Sequence, residues 1–127
     1  MSIIFEILIC IISSILTFEC SKINRIGPIR ASAGLTLLSY IDFSIINYFY
    51  AINVDYYLAL FFGATFVGMS CPTRFSRVSI VISGALFSLI FTLIGKFLVG
   101  LGGVLGLSAF LSVFLIEVFR KLHKTIK

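Results

Sequence analysis

An aspartate stands in the middle of an apolar stretch, residues 37–50, which reads LLSYIDFSIINYFY. Inside a membrane, a carboxyl group such as that of Asp42 has two ordinary uses. It titrates or binds a cation along a polar path, or it hydrogen-bonds to a neighbouring helix. A charged aspartate at the centre of a spanning helix costs about 2.5 to 3.5 kcal/mol on insertion scales. The sequence therefore predicts that Asp42 has either a partner or a role.

Other polar residues share the segment that carries Asp42. At 100° per residue, Thr36, Ser39 and Asn47 fall along one stripe, and Asp42 lies at its edge. Counted from Ala31, Asp42 is about 16 Å into the helix, which predicts a position near the bilayer centre. No Lys, Arg or His is expected at that depth, so a salt bridge within the chain is not predicted. Two alternatives stay open: a protonated carboxyl that hydrogen-bonds to Ser, Thr or Asn neighbours, or a carboxylate that faces a water-filled path.

The composition places these residues in a membrane protein. The chain has 127 residues, of which 60% are hydrophobic and 12% are charged. In a soluble domain about a quarter of all residues are charged. No segment is long and polar enough to form an extramembrane domain. The net charge of +5 comes from basic residues in short flanks beside apolar segments. We therefore expect an all-α, polytopic integral membrane protein that binds no nucleic acid.

Five apolar segments predict a single domain of about five transmembrane helices. They cover residues 3–18, 31–52, 56–70, 78–95 and 102–119, followed by a basic tail at 120–127. The Gly27–Pro28 pair marks a break after the first segment. The third segment is short for a full crossing, since a span needs about 20 residues. Small residues on two of its faces predict protein neighbours on both sides, either at the centre of the bundle or at a subunit interface.

The positions of the basic residues predict the orientation of the bundle. Nine of the ten Lys and Arg residues lie in the first loop, the third loop and the tail, and the exception is Lys96. The positive-inside rule therefore predicts an N-terminus outside and a C-terminus inside, and we expect a bacterial cytoplasmic membrane. Three residues of the tail are predicted to lie at the lipid surface and to contact anionic headgroups: Arg120, Lys121 and Lys124.

Small residues also predict how the last two segments pack. Gly84, Ser88 and Gly95 share one narrow face of the fourth segment, and Gly102 and Gly106 share a face of the fifth. A short connection makes the two segments an antiparallel hairpin and sets these faces against each other. The sequence thus predicts that this hairpin is the tightest contact of the fold and that Gly106→Leu breaks it.

The sequence carries no signature of an enzyme or of a cofactor. The three cysteines form no CxxC pair, the single histidine is His123, and no spanning segment carries paired acids at metal-ligand spacing. We therefore expect no catalysis, no cofactor and no metal site. The favoured function is transport or permeation by a homo-oligomer, with a polar path near Asp42. The alternative is a non-catalytic accessory or assembly subunit, whose polar stripe binds a partner membrane subunit.

Overall fold

The computed structural model describes residues 3–70, 73–95 and 103–126. Within these ranges the chain forms five α-helices, and each lies on one of the five predicted segments. In chain order they are α1 (Ile3–Ser21), α2 (Gly27–Phe49), α3 (Val54–Gly68), α4 (Arg77–Gly95) and α5 (Val104–Ile126). The prediction of an all-helical fold is confirmed.

Three helices in these ranges are long and apolar enough to cross a membrane: Ile3–Ser21, Gly27–Phe49 and Arg77–Ile94. They indicate a membrane protein. α3 has 15 residues, or about 22 Å of helix, which is less than a hydrocarbon core of about 30 Å. α5 has 23 residues, but its apolar stretch from Val104 is interrupted by charge at Glu117. The count of five spans and their orientation stay predictions.

The ends of α2 differ from the predicted segment 31–52. Pro28 does not stop a helix but lies in the first turn of α2, where its missing N–H needs no partner. Gly27, with φ at +71°, makes the turn into the helix. At the other end the helix stops at Phe49, and Asn47 Oδ1 accepts a hydrogen bond from the Ile52 N–H at 3.0 Å. α2 therefore begins about one helical turn before the predicted segment and ends about one turn before its end.

Ion pairs lie at one end of the bundle. They involve basic residues of the α1–α2 connection, of the α3–α4 connection with the start of α4, and of α5. Arg77, at the start of α4, pairs with Glu19 near the end of α1 at 2.7 Å. Arg74 pairs with Glu117 of α5 at 3.0 Å. We call this end the basic end; its residues are Lys22, Arg30, Arg74, Arg77 and Arg120. The opposite end, which we call the tyrosine end, carries Tyr48, Tyr50, Tyr56 and Tyr57.

α3 lies at the centre of the bundle, in contact with all four other helices, as its two small-residue faces predict. A glycine allows α1 to approach it: a Cβ at Gly68 would lie 2.5 Å from the Ser14 carbonyl oxygen. Ser13 of α1 donates a hydrogen bond to the Phe61 carbonyl oxygen at 2.8 Å. The Ser14 hydroxyl oxygen lies 3.1 Å from the Ala64 carbonyl oxygen, but its single hydrogen goes to the nearer Cys10 carbonyl oxygen at 2.8 Å. Close backbone approach and hydroxyl bonds of this kind hold helices together where lipid provides no hydrophobic drive.

α4 and α5 contact each other, but not through Gly84 or Gly106. Gly84 faces α1, since a Cβ there would lie 2.9 Å from the Ser14 hydroxyl and 3.3 Å from the Cys10 carbonyl oxygen. Gly106 is exposed, and nothing in the described ranges lies within 4 Å of a Cβ built on it. The prediction that Gly106 packs against α4 is therefore wrong, because this glycine lies on the free side of α5. The close approaches at Gly68 and Gly84 are both made against α1.

The other members of the predicted packing face have separate places. Ser88 lies on α4, and its side chain is fully buried in the bundle. Gly95 is the last residue of α4, and Gly102 lies outside the described residues. The contact of α4 with α3 uses a different glycine, because a Cβ at Gly63 would collide with the Phe87 ring.

Candidate functional site

Asp42 lies on the outside of the bundle. Its side chain is exposed, and on the same side Leu38, Ile41 and Ile45 are 60%, 54% and 54% exposed. The predicted segment 31–52 places Asp42 near its middle. Because α2 ends at Phe49, Asp42 is instead about 10 Å from the end of the helix. Within the described part of the chain, its carboxyl group makes no hydrogen bond and no ion pair.

The inner face of α2 explains why Asp42 points outward. Ser32, Ser39 and Phe43 are buried against the bundle. Ser32 shares a 2.7 Å hydrogen bond with the Thr65 hydroxyl of α3. At about 100° per residue, Asp42 is rotated by roughly 60° to 100° from these three residues and so lies beyond the buried face. The packing that fixes α2 on α3 thus leaves Asp42 outside.

The other residues of the predicted polar stripe do not join Asp42 in a site. Thr36 donates a hydrogen bond to the carbonyl oxygen one turn earlier in α2, at 2.8 Å. Ser39 donates to the carbonyl oxygen of Thr36, also at 2.8 Å. Asn47 accepts the Ile52 N–H. Each of the three side chains satisfies a nearby backbone group, so one chain forms no polar path lined by all four residues.

A groove opens over α3, because α2 and α5 do not contact each other in the described ranges. Three adjoining clefts follow it, with volumes of about 340, 320 and 290 Å³. Phe62 and Phe66 form its floor, and each lines two of the clefts. Ala33 lies on the α2 wall and Gly106 on the α5 wall. We call this the α3 groove; Asp42 lines none of its clefts.

Two arginines share one carboxylate at the basic end. Glu117 lies 3.0 Å from Arg74 and 2.8 Å from Arg120. Arg120 also donates a hydrogen bond to the Arg74 carbonyl oxygen at 2.5 Å. The cluster therefore holds two positive charges against one negative charge. Lys121 and Lys124 are exposed on α5, which continues as a helix to Ile126. Their contact with lipid headgroups stays a prediction.

A further acid, Glu6, lies at the tyrosine end. Thr92 Oγ1 of α4 is 3.5 Å from Glu6 Oε2 and 2.8 Å from the Ser88 carbonyl oxygen. A hydroxyl has one hydrogen, so Thr92 donates to the nearer carbonyl. Glu6 is in the first turn of α1, where its positive helix end favours a carboxylate. Glu6 is thus placed as an ordinary helix-end acid, unlike Asp42.

Sequence reasoning misses two features of the structure. The first is a stripe of small polar residues on α1, Cys10, Ser14 and Thr17, which recur at spacings of four and three and are fully buried. That spacing is a readable signal of a packed helix face. The second is the α3 groove, which no sequence pattern indicates, because it arises from the separation of α2 and α5.

The arrangement offers no site for metal chemistry in the described ranges, where no three His, Cys, Asp or Glu residues lie together. Comparisons with known proteins give no identity. The chain matches no protein-family model, no curated protein and no solved structure. The features that bear on function are therefore the position of Asp42, the α3 groove and the basic end.

Proposed function

We propose that the protein is a non-catalytic membrane subunit that assembles with another transmembrane helix through the outward side of α2. One observation carries the proposal: the exposed carboxyl of Asp42 has no partner in the described part of its own chain. The residues around it, such as Leu38 and Ile45, are large, apolar and exposed. This side of α2 is therefore suited to face lipid or another helix, with Asp42 as its polar exception.

The depth of Asp42 explains why lipid alone is a poor neighbour. The Tyr48 ring, 87% exposed, marks the tyrosine end, and Asp42 is about 9 Å further into the helix. Long basic side chains reach back to the headgroups from such depths, but an aspartate is too short to do so. A carboxyl group that faces hydrocarbon without a hydrogen bond costs several kcal/mol. A hydrogen-bond donor on an adjacent helix offsets part of that cost.

The chemistry of Asp42 defines the partner. The strongest partner offers a basic side chain at the same depth as the carboxyl, because charge-assisted hydrogen bonds are about twice as strong as neutral ones. Arg30, the basic residue of α2, lies about 18 Å away along the helix, at the opposite end. In the described ranges, a second copy would therefore bring no basic side chain to Asp42. We infer a partner of different sequence and treat self-association as an outcome of the test.

Transport or permeation is the second candidate function. The exposed position of Asp42 determines where its polar path would run. Because Thr36 and Ser39 bond to their own helix, a polar path at Asp42 would have to run between copies of the chain. That function therefore requires a homo-oligomer with α2 at its subunit interface. The mass of the native assembly separates the two candidates.

The test compares wild type, Asp42→Asn and Asp42→Leu in nanodiscs formed directly from the native membrane. We expect the wild type to run as an assembly with a second membrane protein, Asp42→Asn to retain it in part, and Asp42→Leu to run as the single chain. Ser44→Leu is the matched control, since Ser44 is exposed on α2 and bonds to its own helix at 2.8 Å.

Three results would contradict the assembly proposal. A wild-type mass equal to a multiple of the chain, lost in Asp42→Leu, would replace it by the homo-oligomer, and a flux assay in liposomes would then test transport. A wild type that runs as a single chain, or an Asp42→Leu variant that keeps the same partner, would remove Asp42 from any role in assembly.

A further inference from the structure

We propose that the α3 groove binds one anionic phospholipid, with an acyl chain along α3 and the phosphate at the basic end. The site is separate from the one proposed for assembly, because Asp42 lines none of the three clefts. The proposal therefore does not depend on the proposed function. Three features of the groove support it: its length, its lining and the charge at one of its ends.

The groove has the length of an acyl chain. Its floor runs from Leu58 to Ser70, about 18 Å along the helix axis. Half of a bilayer's hydrocarbon core is about 15 Å. The length of the groove therefore matches one acyl chain in one leaflet.

The lining of the groove is mostly apolar. Phe62 and Phe66 form the floor, with Leu105 and Phe110 on the α5 wall. Four polar residues also line the clefts: Ser32, Thr36, Asp55 and Ser70. The Phe62 and Phe66 rings are 4.9 Å apart and lie edge to face, an arrangement that aromatic pairs prefer. In a bilayer an acyl chain gains from the quality of its contacts and not from leaving water. A preformed surface of this kind holds one chain in place.

The basic end of the groove carries positive charge on both walls. On the α5 wall, Val113 lines the groove, and one turn further Glu117 holds Arg74 and Arg120 together. On the α2 wall, Ile29 lines the groove, and the residue after it, Arg30, is exposed. Guanidinium groups bind phosphate oxygens through paired hydrogen bonds. The charge therefore complements an anionic headgroup.

The same charges disfavour a second copy of the chain in the groove. Copies in one membrane lie parallel, so the basic end of one would meet the basic end of the other. The acids of that end in the described ranges, Glu19 and Glu117, are already ion-paired within the chain. A second copy would thus add unpaired positive charge, whereas a phosphate neutralises it.

The test uses native mass spectrometry of the full chain in detergent, titrated with phosphatidylglycerol or phosphatidylcholine. Gly106→Leu fills the groove, and the open space at this glycine predicts that the variant folds. Gly34→Leu is the matched control, because Gly34 is equally open but lines none of the clefts. Arg120→Gln probes the headgroup contact without filling the groove.

We expect the wild type and Gly34→Leu to retain one phosphatidylglycerol molecule. Both should prefer it to phosphatidylcholine by about fivefold, the effect of one basic side chain near an anionic headgroup. Gly106→Leu should lose this lipid at an unchanged thermal midpoint, and Arg120→Gln should lose the preference. The proposal is overturned if Gly106→Leu retains the lipid as Gly34→Leu does, or if the wild type shows no headgroup preference. A dimer that Gly106→Leu converts to monomer would assign the groove to a protein partner instead.

Discussion

The hydroxyl groups of Ser32 and Thr65 are 2.7 Å apart and join α2 to the central helix α3. Thr65 gives its single hydrogen to the Phe62 carbonyl oxygen at 2.5 Å, so Ser32 is the donor in this pair. Both side chains are buried. This bond fixes the rotation of α2 and thereby the outward direction of Asp42.

The first prediction concerns this pair. Ser32→Ala and Thr65→Val should each destabilise the protein, because interhelical hydroxyl bonds in membranes contribute about 0.6 kcal/mol on average and at most about 1.7. The double variant should lose less than the sum of the two single losses, as measured by unfolding in mixed micelles. Ser44→Ala, at an exposed site of α2, should change nothing. Strictly additive losses would show that the two hydroxyls do not act as a pair.

The second prediction concerns close approach. Gly68→Ala should lower the thermal midpoint in detergent, because its Cβ would lie 2.5 Å from the Ser14 carbonyl oxygen, which belongs to a rigid helix backbone. Gly34→Ala should leave the midpoint unchanged or raise it, since the site is open and alanine favours a helix by about 1 kcal/mol over glycine. Equal midpoints for the two variants would contradict the packing of α1 on α3.

Gly84 and Gly106 show what a sequence can and cannot predict here. Hydropathy and charge locate the helices to within about one turn, because the cost of burying charge in lipid dominates the pattern. The exception is the end of α5, which lies about two turns beyond the predicted segment 102–119. Spacing also shows that a helix face is lined by small residues. It does not show which neighbour covers that face: Gly84 packs on α1 and Gly106 packs on nothing in the described ranges. Partner choice depends on the whole set of side-chain volumes, which no single segment contains.

The candidate site has the same limit. The sequence identifies Asp42 as an anomaly, but its position along α2 depends on where the helix begins. Pro28 starts α2 earlier than its apolar run suggests and so moves Asp42 away from the middle of the helix. Ser39 and Thr36 share a stripe with Asn47, yet their hydroxyls bond to their own backbone, which helical projection alone does not reveal.

The third prediction concerns the shared carboxylate at the basic end. Glu117→Gln should lower the thermal midpoint, because it leaves Arg74 and Arg120 close together without a negative charge between them. The loss should be larger in low salt than in high salt, since mobile ions screen the repulsion between the two guanidinium groups. A loss that is independent of salt would mean that Glu117 acts through packing and not through charge.

The fourth prediction concerns orientation. In a background without the native cysteines, a cysteine at Lys124 should react with a membrane-impermeant maleimide only after the membrane is opened. A cysteine at Asn53, between α2 and α3, should react in intact cells. The positive-inside rule predicts this pattern from the basic end. The reverse labelling of the two sites would place the basic end outside and overturn the predicted topology.

The central claim is that the side of α2 around Asp42 faces another transmembrane helix. Its most direct test is a photoreactive residue at Ile45, 54% exposed and one turn from Asp42, with Leu93 of α4, 66% exposed, as the matched site. In native membranes, position 45 should form one discrete protein adduct that Asp42→Leu abolishes, while position 93 labels lipid. A position 45 that labels only lipid, or an adduct that survives Asp42→Leu, would contradict the claim.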